Sequence, residues 1–308
     1  MAVTVRNKIE ILKANIRLGV IPAMATPLRS DAQSIDERGI RSLVDFLIDA
    51  GVRGLFVGGT TGEGILLSEA SRMRLHECAM DAIGGRVPAL IHIGANTSSQ
   101  SIRLTQHAVE IKADALVAVT PYFYPIHNEA LVEYYRSLAE VAPEIPLFAY
   151  DIPQMAINSI APELIAPLLD NVPSFAGLKS SRPDAQLVRS LVDKAAGKAI
   201  VLAGNERIAL GSLALGVDGL ISGLSTAVPE PFVAMTRAFA AGDIEQSRLE
   251  QKRINRIIDM IPAGARIGAI KTILEERGIS AGPAIPPRPM PSVGWTGWDR
   301  IRDELMAA

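Results

Sequence analysis

Eight short apolar runs punctuate the chain, at residues 20–25, 55–57, 89–93 and 116–119 in the first half and 147–150, 175–178, 199–202 and 220–221 in the second. Most open on Gly or Pro and close on Gly, Pro, Thr or Asp, which marks them as strands between turns. They are too uniformly apolar to alternate, so their strands are expected to be covered on both faces, as in a parallel sheet flanked by helices. After the first run, Ser34 and Glu37 have the spacing of a capping box, and Gly51 stands where a left-handed helix end is expected. Between them Ile40, Leu43, Val44, Leu47 and Ile48 fall on one helical stripe. Eight strands, each followed by a helical stretch, predict an α/β chain closed into a (β/α)8 TIM barrel rather than an open doubly wound sheet.

Helical patterns continue after the eighth run, through 232–240, 244–261 and 266–277, followed by an extended 283–291 segment and a final stretch at 295–306. A barrel needs one more helix there. The surplus predicts a barrel with a short N-terminal helix over 1–240 and an appended helical subdomain over 241–308, packing on the barrel flank.

With 308 residues, 48% of them hydrophobic, the chain can bury one large core. A formal net charge of -2 without a run of like charges points to no nucleic acid and no anionic membrane as partner. Cys78 is the only cysteine, which excludes an intrachain disulfide and a cysteine-based metal site and fits a cytoplasmic setting. The first 19 residues are broken by charge and do not read as a signal peptide, and no segment approaches a membrane span. His76, His92, His107 and His127 are scattered without metal-ligand spacing, so no metal is expected. His92 stands out because it falls within the third strand.

Seven of the eight lysines lie in helical or turn-like polar surroundings where a solvated ammonium is expected. Lys179 is different, because it directly follows Phe175, Ala176, Gly177 and Leu178. That places its amine at the carboxyl end of the sixth strand, the end at which barrel active sites lie. Burial there disfavours the ammonium and leaves an amine able to attack a carbonyl, forming an iminium that acts as an electron sink. Tyr150 closes the fifth strand, next to the strand of Lys179, where a phenol can pass protons during that chemistry. The second strand leads into Gly58, Gly59, Thr60, Thr61, Gly62 and Glu63, whose free amides and hydroxyls suit a carboxylate.

Taken in order, GGTTGE at 58–63, GAN at 94–96, TPYF at 120–123, YDIP at 150–153, GLKSS at 177–181, GVDGLISG at 216–223 and PMP at 289–291 resemble the dihydrodipicolinate synthase and N-acetylneuraminate lyase family of class I aldolases. The resemblance implies a pyruvate-type 2-oxo acid held as a Schiff base on Lys179, with no organic cofactor, no metal and a homotetrameric assembly. It further implies that Tyr150 is the central acid and base and that Thr60 joins the proton relay. Thr61 and the amide of Gly62 would bind the donor carboxylate, with Gly204 of AGNE and the backbone of Ile221 lining the donor pocket.

Two positions depart from the synthase pattern. The synthase resembles TPYY where this chain has Phe123, and a phenyl ring carries no proton. Shortly after its YNVP-like motif the synthase has an arginine for the carboxylate of its aldehyde partner; here Met155 stands in that place, and a thioether makes no bidentate ion pair. Ser180 and Ser181 occupy the stretch where the synthase tends to have an acidic residue, and short hydroxyls suit a hydroxylated partner. The expectation is therefore a lyase joining or splitting a 2-oxo acid and an uncharged or sugar-like aldehyde. Two alternatives remain: dihydrodipicolinate synthase itself, and a non-catalytic sensor of 2-oxo acids. A phosphate-binding barrel enzyme would account for Gly204 and Gly223 but leaves Lys179 and Tyr150 without roles.

Overall fold

Strands form at each of the eight apolar runs of the computed structural model, which describes residues 4–307. They are β1 (Val20–Pro22), β2 (Leu55–Val57), β3 (Ala89–His92), β4 (Ala115–Val119), β5 (Leu147–Asp151), β6 (Phe175–Ser180), β7 (Ile200–Ala203) and β8 (Gly219–Ser222). All belong to one parallel sheet in the order β1-β8-β7-β6-β5-β4-β3-β2, with helices between successive strands, which is the (β/α)8 barrel class with additional C-terminal helices. Every strand residue is buried. This is the two-sided covering that the unbroken apolar runs require.

The chain divides into two compact units. One comprises residues 4–18 with Pro88–Ile221, and its β3 to β8 are joined by parallel ladders. The ladder between β5 and β6 contains a bulge. Leu147 pairs with Phe175 but Phe148 pairs with Gly177, so Ala176 is the extra residue and every later partner shifts by one. Gly177 (φ +155°) makes this possible, because a Cβ there would overlap the Ile200 carbonyl oxygen of β7. The slip sets Lys179 opposite Tyr150; without it Tyr150 would face Leu178, whose side chain points to the other side of the sheet.

The other unit comprises Gly19–Val87 and residues 222–307, including the helices Glu230–Ala240, Ile244–Met260, Arg266–Glu276 and Gly297–Met306. Its first helix, Glu37–Asp49, buries Ile40, Leu43, Val44 and Leu47 as expected, with Ile48 half-buried. Its start is not the Ser34 and Glu37 box. Asp36 is the N-cap, accepting from the amides of Arg38 and Gly39, while Ser34 donates its hydroxyl to Asp31. Aspartate needs no glutamate three residues on to satisfy these amides. Gly51 (φ +88°) follows the helix in the left-handed conformation anticipated for it.

Candidate active site

Lys179 and Tyr150 are paired Cα neighbours on β6 and β5, so their side chains leave the sheet on the same face. The lysine Nζ lies over the phenol ring, 4.1 Å from its centroid. Both residues are buried, at 4% and 2% exposure. A third ring completes this group: His92, at the end of β3, meets Tyr150 edge-on with centroids 6.1 Å apart. Its Nε2 accepts from the amide of Val119 at 3.4 Å, an arrangement that places the ring proton of the neutral imidazole on Nδ1. Here His92 supports an aromatic wall.

Three other expected residues gather on the opposite flank of the lysine. A Cβ on Gly204 would overlap Ser181 Oγ and stand 3.1 Å from Lys179 Cε, so Gly204, Ser181 and the lysine stem are in close contact. The amide of Gly204 donates to the carbonyl of Ser180 at 2.7 Å, fixing this loop. Ile221 is buried one step past the last β7 to β8 partners, Ala203 and Leu220, and so is level with Gly204.

Behind the pair lies an ionic clasp that the sequence reading did not find. Asp151, fully buried, takes Nε of Arg182 at 2.7 Å on one carboxylate oxygen and Nη2 at 3.2 Å on the other. The same carboxylate accepts the Ser180 hydroxyl at 2.9 Å and the Ile160 amide at 3.0 Å. Because Asp151 and Ser180 follow Tyr150 and Lys179 and are themselves register partners, the clasp holds the two catalytic candidates at one level. Ser180, expected to serve a substrate, instead spends its hydroxyl on Asp151. The readable signal was a lone carboxylate at the end of one apolar strand and a guanidinium just past the end of the next.

The Thr60, Thr61 and Gly62 turn belongs to the other unit and is tightly built. Thr26 Oγ1 donates to the Gly62 carbonyl at 2.5 Å, and a Cβ on Gly62 would come within 2.8 Å of the Met24 carbonyl oxygen. Thr61 is buried, and its Oγ1 packs against the backbone of Gly223. Thr60 is half-buried. Glu63 closes the turn at φ +55°. Its carboxylate, wholly buried, is ion-paired at 2.9 Å with Lys271 Nζ. That overturns the expectation of a solvated ammonium for Lys271. The lysine sits four residues after Ile267 and three before Leu274, on the apolar stripe of helix Arg266–Glu276, and its spacing alone could have shown it.

The two positions that depart from the synthase pattern are exposed. Met155, on the short helix Pro153–Ala156 after β5, is 61% exposed, and Phe123 (φ +80°) is 74% exposed, packed edge-on against Tyr124.

The chain is 31% identical over 269 residues to a 4-hydroxy-tetrahydrodipicolinate synthase of Methanopyrus kandleri, covering 87% of this chain and 89% of that one. It is 33% identical to an uncharacterized DapA-like lyase of Halobacterium salinarum, covering 86% of each. Among solved structures, the wild-type sialic acid aldolase of Ruminococcus gnavus superposes with a TM-score of 0.90 at 25% identity, covering 95% of this chain and 99% of that one. A pyruvate complex of YagE, a prophage protein of the dihydrodipicolinic acid synthase family from E. coli K12, gives 0.87 at 27% identity, covering 93% and 98%. The sequence model of the dihydrodipicolinate synthetase family matches residues 17–302. With that match across nearly the whole barrel and its added helices, the chain is an enzyme of the dihydrodipicolinate synthetase family, whose members are lyases.

Proposed function

We propose that this enzyme forms a Schiff base between Lys179 and pyruvate or a related 2-oxo acid, and reversibly joins it to an uncharged or sugar-like aldehyde. The observation that carries this reading is the buried Lys179 amine over the ring of Tyr150. In the forward direction, Nζ attacks the ketone carbon, the carbinolamine loses water, and the iminium, acting as an electron sink, lets Tyr150 accept a proton from the adjacent carbon. The enamine so formed attacks the aldehyde, and water then releases the product and the free amine. Tyr150 exchanges protons with the carbinolamine and the aldehyde oxygen, with Thr60 in its relay. The family pattern gives Thr61 and Gly62 the donor carboxylate and Gly204 and Ile221 the wall of the donor pocket. Ser181 and Met155 then belong to the aldehyde.

Met155 and Phe123 favour an aldehyde without a carboxylate, whereas the synthase named among the relatives takes the role of alternative. A sensor that only binds 2-oxo acids has no use for the amine over the phenol. The family pattern further supports a homotetramer without metal or organic cofactor, and the composition supports a cytoplasmic enzyme.

Borohydride reduction in the presence of pyruvate, followed by intact mass and peptide mapping, tests the central step. The expected product is one reduced pyruvyl adduct on Lys179; an unmodified Lys179 overturns the reading. Condensation of pyruvate with aspartate semialdehyde at ordinary synthase rates would overturn the uncharged acceptor and favour the synthase.

A further inference from the structure

Two costs meet in one residue, Glu63. Its backbone is held at φ +55°, a conformation that ordinary side chains disfavour, and its carboxylate is removed from water together with the Lys271 ammonium. A buried ion pair is no bargain for stability, since a well-packed apolar pair of similar size does as well or better. What such a pair supplies is a fixed geometry, because each charge tolerates only arrangements that keep it paired.

The geometry in question spans three segments of one unit. Lys271 Nζ, on helix Arg266–Glu276, lies 2.9 Å from Glu63 Oε2 and donates to the Pro283 carbonyl at 2.7 Å. The other carboxylate oxygen of Glu63 accepts the Ile285 amide at 2.8 Å. The extended segment from Pro283 thus has a carbonyl and an amide satisfied by the two ends of the ion pair. Further along, the same segment is pressed on the helix, where a Cβ on Gly268 would lie 2.5 Å from the Pro289 carbonyl oxygen. Helix, segment and turn are consequently locked together at the residue that follows Thr60, Thr61 and Gly62. Within the turn the Glu63 amide donates to the Thr60 carbonyl at 3.2 Å, so the position of Glu63 is handed directly to Thr60. Burial pushes the Lys271 pKa down and the neighbouring Glu63 carboxylate opposes that shift.

We infer that Lys271 and Glu63 are positioning residues, a buried ionic brace that holds the Thr60, Thr61 and Gly62 turn in the shape that receives the donor's carboxylate. The inference rests on the donor role proposed above for that turn. It separates recognition of the carboxylate from reaction of the carbonyl, and the two can be measured independently.

The test compares borohydride trapping at Lys179 by pyruvate with trapping by acetaldehyde, a carbonyl without a carboxylate, in Lys271→Met and in the double variant Glu63→Gln with Lys271→Met. The double variant removes both charges, so it stays folded if the single one, left with an unpaired buried carboxylate, does not. The expected result is a rise of about ten-fold or more in the pyruvate concentration giving half-maximal trapping, with acetaldehyde trapping at Lys179 unchanged. Unchanged pyruvate dependence in a folded variant overturns the brace, as does an equal loss with both carbonyls, which would mark a general structural role. A wild-type enzyme that pyruvate leaves unmodified at Lys179 overturns the Schiff-base reading first and the brace with it.

Discussion

The amine of Lys179 and the ring of Tyr150 meet because one residue, Ala176, is extra in the ladder between their strands. Everything chemical about the pair depends on that register. Tyr150→Phe keeps the ring under the Lys179 nitrogen and removes only the hydroxyl. Turnover is expected to fall by about 10²- to 10⁴-fold, the usual worth of a positioned proton-transfer group. Trapping of pyruvate by borohydride should still reach Lys179, more slowly. A variant that turns over at the wild-type rate would remove Tyr150 from the chemistry.

Gly204 leaves no room for a side chain beside the lysine stem. In Gly204→Ala the new methyl group would overlap Ser181 Oγ and crowd Lys179 Cε. Either the loop moves out or the lysine does. The expected outcome is a folded enzyme whose half-saturating pyruvate concentration rises by about ten-fold, or ~1.4 kcal/mol of binding. Titrating the trapping reaction measures this, and an unaltered titration would place the lysine stem elsewhere during reaction.

Arg182 is 20% exposed yet binds a carboxylate that water does not reach. Arg182→Met leaves Asp151 with only the Ser180 hydroxyl and the Ile160 amide, and should cost about 1–3 kcal/mol. Chemical denaturation reads the loss. If stability is unchanged, the clasp is not what keeps β5 and β6 in step.

How much of this was legible beforehand depends on whether a residue's role is local. All eight strands were readable because each is a short run buried on both faces, and Lys179 stood out as the only lysine continuing such a run. The bulge at Ala176 was not readable, since register is a property of two strands and the sequence shows one at a time. Asp151 and Arg182 share that difficulty, lying 31 residues apart and meeting only through the pairing of their strands. Lys271 and Glu63 are 208 positions apart in number, so the apolar stripe around Lys271 can show that the lysine is buried but not which carboxylate it meets. The misread cap at Ser34 has the opposite cause: two residues fit one local motif, and Asp36 fitted a simpler one better.

Cys78 offers a pH-dependent check on the unit that contains β2. Burial raises its thiol pKa from the ordinary value, and Arg74 opposes the shift only in part. An acid whose folded pKa is raised costs nothing while both states are protonated. Above the free thiol value of about 8.5, the unfolded chain ionises and the folded one does not, so stability falls as pH rises. Cys78→Ala should therefore show a smaller loss of melting temperature than wild type between about pH 7 and about pH 9.5. Native alkylation of this single thiol should remain slow over the same range, and rapid alkylation of the folded enzyme would refute its burial.

Acceptor choice is the part of the function most open to a single substitution. Met155 lies on the short helix directly after Tyr150 and Asp151, and its side chain is largely exposed, so a longer side chain there meets no packing obstacle. Arginine at this position supplies a planar pair of donors that a carboxylate can engage and a hydroxyl cannot fully use. Charge-assisted bonds of this kind contribute about 1.5–3 kcal/mol, enough to change selectivity by roughly ten- to a hundred-fold. Met155→Arg is thus expected to raise kcat/KM for condensation of pyruvate with aspartate semialdehyde relative to an uncharged aldehyde such as glyceraldehyde, with little effect on donor trapping at Lys179. Should the ratio of the two acceptors stay where it was, Met155 does not face the aldehyde, and the preference for an uncharged partner must come from elsewhere in the site.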